Sequence, residues 1–137
     1  MAKILSLARF ERDARTLIAL RKDDRPPFAG QWLLPGAVVG DDESAEEALE
    51  RHVLRELGVK IAEQEFAETL QLVDAPGRQL YAANVFHIQR HGGELRFRAD
   101  GDYEDVRWLT ADDLASLPMP SPLRHWLLGE RKEPVKP

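Results

Sequence analysis

The residues best suited to chemistry lie between Leu34 and Val59, in the run LPGAVVGDDESAEEALERHVLRELGV. His52, Arg55 and Glu56 are spaced i, i+3, i+4, so on a helix their side chains project from one face. Two carboxylates on such a face beside a turn would make a magnesium site for phosphate chemistry, because magnesium takes hard oxygen ligands. Here only Glu56 among the three is an acid. Arg55 cannot ligate a cation and would repel one. It could hold a substrate phosphate or pair with a nearby acid on the surface. His52 could act as a general base near neutral pH or pair with the i+4 acid, Glu56. Arg51 could likewise form a surface pair with Glu47.

A helix over about residues 44–57 must carry these groups. Ser44 suits its N-cap, and Glu47 three residues later completes a capping box. Ala48, Leu49, Val53 and Leu57 form the apolar stripe of a helix packed on one face, and Gly58 sits where a left-handed residue would stop it. Before the helix, Lys3–Phe10 and Arg15–Lys22 read as strands separated by ERDA. KDDRPPFAG is a loop, and Gln31–Leu34 is a short strand entering a Pro35-Gly36 turn. After the helix, Phe66–Val73 reads as a strand and Ala75-Pro76-Gly77 as a turn. Gln79–Gln89 is a long strand closed by RHGGE into a hairpin with Leu95–Arg98. Val106–Leu109 is a short strand, Thr110 caps the short helix ADDLASL, and Ser121–Leu128 is a last helix. This order is mixed α/β without strict βαβ alternation.

The 137 residues suffice for one domain with a real core, over 1–129. The tail 130–137 has little to bury and is expected to be disordered. A formal net charge of -5 without a long Lys/Arg cluster argues against a nucleic-acid partner. The absence of cysteine excludes disulfides, thiol catalysis and thiolate zinc sites, and suits a reducing cytoplasm. No stretch reads as a signal peptide or a membrane span, so no membrane partner is expected.

Read together, GQWLLPGA, DES and ALERHVLRELGV resemble the signature of the Nudix hydrolase family, G-x5-E-x7-R-E-U-x-E-E-x-G-U, where U is bulky and aliphatic. Ala37 takes the glycine position. Glu43, Arg51, Val53, Glu56, Gly58 and Val59 then match in register, while His52 and Arg55 replace two helix glutamates. EDVRWLTADDL looks like the family's strand-then-helix ending. The resemblance implies an α/β/α sandwich around a mixed β-sheet. It also implies hydrolysis of a nucleoside diphosphate linked to another moiety, with magnesium, or manganese in its place, and a possible homodimer. Glu56 is then the main metal ligand, the carbonyl near Gly36 a second, and Arg51 an orienting arginine.

The run RPPFAGQWLLPG with the later DYEDVRWLTADDLAS is similar to GDP-mannose mannosyl hydrolases, which use one magnesium and displace at the sugar carbon. Their metal-binding and catalytic pair falls on Asp102 and Tyr103, which makes Asp102 a metal candidate and Tyr103 a catalytic one. Phe28 and Tyr81 are candidates for contacting a base or sugar, whereas Trp32 and Trp108 suit the core. His87, His91 and His125 form no metal spacing. The replaced glutamates also admit a second reading, a Nudix fold that binds a nucleotide as a sensor or partner module.

Overall fold

The computed structural model describes residues 2–75 and 77–129. Its strands are β1 (Lys3–Arg9), β2 (Glu11–Arg12), β3 (Arg15–Arg21), β4 (Trp32–Leu33), β5 (Gly36–Val38), β6 (Lys60–Asp74), β7 (Gln79–Gly92) and β8 (Tyr103–Leu109). The helices are α1 (Ala45–Leu57), α2 (Ala111–Leu114) and α3 (Ser121–Leu127). Asp13 and Ala14 both have positive φ, 52° and 61°, the backbone needed for a two-residue connection between β2 and β3. One sheet runs β5-β1-β7-β6 and is mixed, because β1 and β7 are parallel and the other pairs antiparallel. The second is antiparallel, with β3 pairing β2, β4 and β8. The expected α/β arrangement is therefore present, with its strands divided between two sheets.

Alternation along β1 sends Leu5 and Leu7 into one core cluster and Ala8 into another. The first cluster takes Leu114 of α2 with Leu123 and Leu127 of α3; the second takes Leu49, Val53 and Leu57 of α1. Helices thus cover both faces, as the apolar stripe of α1 requires. The capping box forms as expected. Ser44 Oγ accepts the Glu47 N–H at 3.0 Å, and Glu47 Oε1 accepts the Ser44 N–H at 2.8 Å. Gly58 ends the helix at φ 72°.

Four expectations are corrected. Gly36 is not simply a turn residue. It begins β5, paired with Leu7 of β1, and a Cβ there would lie 2.0 Å from the Ser6 carbonyl oxygen. The strand expected from Phe66 begins at Lys60, since the polar residues of KIAEQE are tolerated on an antiparallel strand with one face in water. Leu95–Arg98 does not form a strand. Both edges of β7 are taken by β1 and β6, and the Arg96 N–H instead bonds the Leu57 carbonyl at 2.8 Å, at the end of α1. The last strand also begins earlier than expected, at Tyr103. The expected disordered tail, 130–137, and Pro76 of the expected turn lie outside the described residues. Among the described residues no helix is long and apolar enough to cross a membrane.

The close packing at Gly36 predicts that Gly36→Ala weakens the β5–β1 pairing. The expected loss is about 1–3 kcal/mol, the range for overpacking a tight site. Urea denaturation measures it, and an unchanged midpoint would show that β5 shifts freely.

Candidate active site

The cluster begins at Glu56, whose burial is the first thing to explain. Its side chain is 4% exposed, yet it is an acid. A buried carboxylate is tolerated only when its oxygens are bonded, and both are. Oε1 accepts the backbone N–H of Asp102 at 2.8 Å, and Oε2 accepts the Arg55 Nε–H at 2.9 Å. The approach of Oε1 depends on Gly101, where a Cβ would lie 2.1 Å from that oxygen. Arg55, half exposed, donates from its second arm to Asp102 Oδ2 at 3.3 Å. Its guanidinium therefore bridges the two carboxylates. Arg25 donates to the other Asp102 oxygen at 3.2 Å.

Behind this cluster lies a buried polar chain. His52 Nε2 is 2.7 Å from the Tyr103 hydroxyl, which accepts the Gly36 N–H at 3.1 Å and lies 3.5 Å from the Gly36 carbonyl. Arg55 faces His52 Nδ1 at 3.4 Å. Arginine can only donate, so the bonding pattern assigns the neutral ring's proton to Nε2. The ring then donates to the Tyr103 oxygen, and the tyrosine proton is free for the Gly36 carbonyl. Burial, reinforced by the charge on Arg55, lowers the His52 pKa from 6.5 to about 3. Burial likewise raises the Tyr103 hydroxyl well above its ordinary range. The expected pairing of His52 with Glu56 is thus replaced by one with Tyr103, which α1 meets at the start of β8. The Gly36 carbonyl, expected beside a metal, meets the tyrosine hydroxyl.

A cleft of about 210 Å³ opens beside these residues, with Phe28, Leu33 and Leu34 among its walls and Arg21, Arg51 and Arg55 among its cations. Arg51 does not pair with Glu47. It grips Glu43 with two bonds, at 2.8 and 3.2 Å, which raises the arginine pKa and lowers that of the acid. Glu43 also accepts the Gly40 N–H at 2.9 Å, so it braces the loop before α1. Phe28 lines the cleft, but its side chain is fully buried and its backbone is left-handed at φ 59°. Its N–H bonds Asp74 at 3.2 Å. Tyr81 is not among the lining residues; it packs on Phe28 in the core, ring centroids 5.4 Å apart. Trp32 is core and Trp108 packs against the α1 cluster, as expected. His87, His91 and His125 are absent from the cleft.

Arg21, Arg25 and Gly101 are site residues that sequence reasoning missed. Arg21 is 9% exposed, with Nε bonded to the Arg25 carbonyl at 2.9 Å and a second arm to the Pro26 carbonyl at 3.2 Å. Its guanidinium lies 5.8 Å from the Tyr103 ring centroid. Among the described residues it forms no ion pair with a carboxylate. The available signal was a cation at the end of the apolar run TLIAL, where the strand enters the loop.

A divalent metal would need oxygen donors free to turn towards it. Glu56 and Asp102 both face Arg55, and among the described residues no group of three His, Asp or Glu side chains converges to hold an ion. A metal held by the protein alone does not fit this arrangement.

The NUDIX domain family model matches residues 4–128. The nucleoside triphosphatase NudI of Escherichia fergusonii is 28% identical over 114 residues, covering 77% of this chain and 79% of its own. The crystal structure of a MutT NUDIX hydrolase from Burkholderia pseudomallei superposes with a TM-score of 0.79 at 30% identity, covering 95% of this chain and 98% of its own. The NUDIX domain of Shewanella oneidensis NrtR, complexed with ADP ribose, superposes at 0.66 with 19% identity, covering 95% and 84%; that likeness is one of fold.

His52 also sets a pH dependence. Its folded pKa is about 3 against an ordinary 6.5, so below pH 6.5 the unfolded chain takes up a proton that the folded chain refuses. Its contribution to stability is therefore complete above pH 6.5 and declines as the pH falls towards 3. Denaturation midpoints measured at pH 7 and at about pH 5, above the ordinary carboxylate range, should fall for the wild type and fall less for His52→Gln. Equal falls would remove His52 as the source.

Proposed function

The chain belongs to the NUDIX domain family, and on that premise we propose that it is a hydrolase of a nucleoside diphosphate linked to another moiety, such as a nucleotide-sugar. The observation that carries the reading is Arg21. A guanidinium about nine-tenths buried, without a carboxylate partner among the described residues, at the edge of a cleft, favours an anion there. Arg25 and Arg55 are paired with Asp24, Asp102 and Glu56, so among the described residues the charge that Arg21 brings to the cleft has no acid paired with it. A diphosphate would supply the missing negative charge. The walls formed by Phe28, Leu33 and Leu34 suit the less polar part of such a ligand.

Members of the family generally use divalent metals. Magnesium, with manganese in its place, would arrive as the counter-ion of the ligand's diphosphate and offset part of its charge. Arg55 contacts a phosphate and stabilises the charge that grows on the leaving diphosphate. Glu56 orients Arg55 and fixes the backbone at Asp102. His52 and Tyr103 hold the Gly36 backbone in place; neither is a good base here, one buried and bonded, the other held protonated. Departure of an intact nucleoside diphosphate from a sugar carbon asks less of the attacking water than attack at phosphorus does. The bond broken is then the one between the sugar carbon and the bridging oxygen. The electron pair leaves with the diphosphate, water oxygen joins the carbon, and its proton passes to solvent.

The bridging of Glu56 and Asp102 by Arg55 also favours a second reading, a nucleotide-binding module without turnover. Placement in the cytoplasm and assembly into a homodimer belong to either reading as proposals.

A panel of nucleoside-diphosphate derivatives, incubated with magnesium or manganese and resolved by chromatography, separates the readings. Release of free sugar and nucleoside diphosphate is expected, and with oxygen-18 water the label should enter the sugar. Label in the phosphate would return the protein to diphosphate cleavage, and saturable binding without products would favour the binding module. Two variants then test the roles. Glu56→Gln, which frees Arg55, should lower turnover while retaining the fold, and Arg55→Ala should lower kcat at least as much and also raise KM. Wild-type kinetics in both would remove the cluster from the reaction.

A further inference from the structure

We propose that Arg55 is the resident cation of this site, filling the place of a divalent ion, so that the free protein holds no such ion there. The proposal deepens the reading of the cleft as a diphosphate site and rests on it for its meaning. Three side chains near the cleft carry metal-ligating atoms, Glu56, Asp102 and His52, and with Arg55 among them they do not converge on an ion. All three face the same guanidinium, at 2.9, 3.3 and 3.4 Å. Their remaining atoms are also engaged. The second Glu56 oxygen holds the Asp102 N–H, the second Asp102 oxygen holds Arg25, and the second His52 nitrogen holds Tyr103.

Two neighbouring acids are engaged as well. Glu43 is gripped by Arg51 and bonded to Gly40; Asp100 is held by Arg98. An ion entering between Glu56 and Asp102 would meet the positive charge of Arg55 and would have to displace its hydrogen bonds. The guanidinium already does what an ion would do for the two carboxylates, and its planar fork can serve more than one acceptor. A divalent ion then reaches the site with the phosphates of a ligand. The cation that the ligand meets on arrival belongs to the chain.

Manganese alone tests this, without any nucleotide. Free Mn2+ is followed by electron paramagnetic resonance as it is titrated into the wild type, Arg55→Ala and Arg55→Met. Thermal melts with and without Mn2+ give a second readout, because an ion bound only by the folded state raises Tm. The wild type should show no stoichiometric site and no Mn2+-dependent shift. Either folded variant should bind one ion, at least about tenfold tighter than the wild type, since a nearby like charge has gone. Adding Glu56→Gln to that variant should remove the site again. One ion bound by the wild type and lost in Glu56→Gln would overturn the proposal. So would two folded Arg55 variants that bind Mn2+ no better than the wild type. Because no substrate is present, failure of hydrolysis would bear on the proposed activity and leave this result standing.

Discussion

The carboxylate of Glu56 constrains everything around it. At 4% exposure it is tolerated only while both oxygens are bonded, and its partners come from different parts of the chain. One is Arg55, the adjacent residue on α1; the other is the backbone at Asp102, brought in by the segment entering β8. Gly101 is the residue that lets that segment approach. Arg55 extends the cluster to Asp102, and Asp102 extends it to Arg25 in the loop after β3. A helix, a strand entry and a loop that share no local sequence are thereby joined by one set of charges. Such a network is sensitive to loss of any member, because the group left behind is buried or half-buried without its partner.

The second line of organisation is the chain from Arg55 through His52 and Tyr103 to Gly36. It runs from the charged cluster into the interior, and each group is bonded to the next. Its chemistry is passive in one sense: burial keeps the imidazole neutral and the phenol protonated. It is consequential in another, since it ties the α1 face to β5, where the backbone at Gly36 is packed too closely against Ser6 to accept a side chain. Positions held by two independent constraints, steric at the backbone and polar at the side chain, move little.

Charge explains how the cleft differs from a carboxylate cage. Multiplying acids on a helix face prepares a site for a metal. On the proposed reading, replacing two of them with histidine and arginine, with Arg21 added from the neighbouring strand, prepares it for an anion. Arg21 is the clearest case. Carbonyl oxygens of Arg25 and Pro26 hold its position without neutralising it, so its charge remains available to the cleft.

Local rules were enough to read α1 from the sequence. The capping box, the stripe of Ala48, Leu49, Val53 and Leu57, and the left-handed Gly58 all depend on neighbours within one or two turns, and all appear where expected. The spacing of His52, Arg55 and Glu56 likewise determined that they would share a face, and the run of matching positions identified the family. Partners were another matter. Spacing suggested His52 with Glu56 and Arg51 with Glu47, yet the structure pairs His52 with Tyr103 and Arg51 with Glu43, because contacts made beyond the helix itself decide which partner stands across from each side chain. The residues 95–98 alternate like a strand, but both edges of β7 were already occupied. Tyr81 and Phe28 have the aromatic character of ligand contacts; Phe28 reaches the cleft wall, while Tyr81 packs against it in the core. Arg21 and Gly101 carry no spacing signal; their importance comes from what stands across from them. A sequence determines which faces a segment offers, while the fold decides what meets each face, because burial, charge compensation and steric fit are settled between segments far apart in the chain.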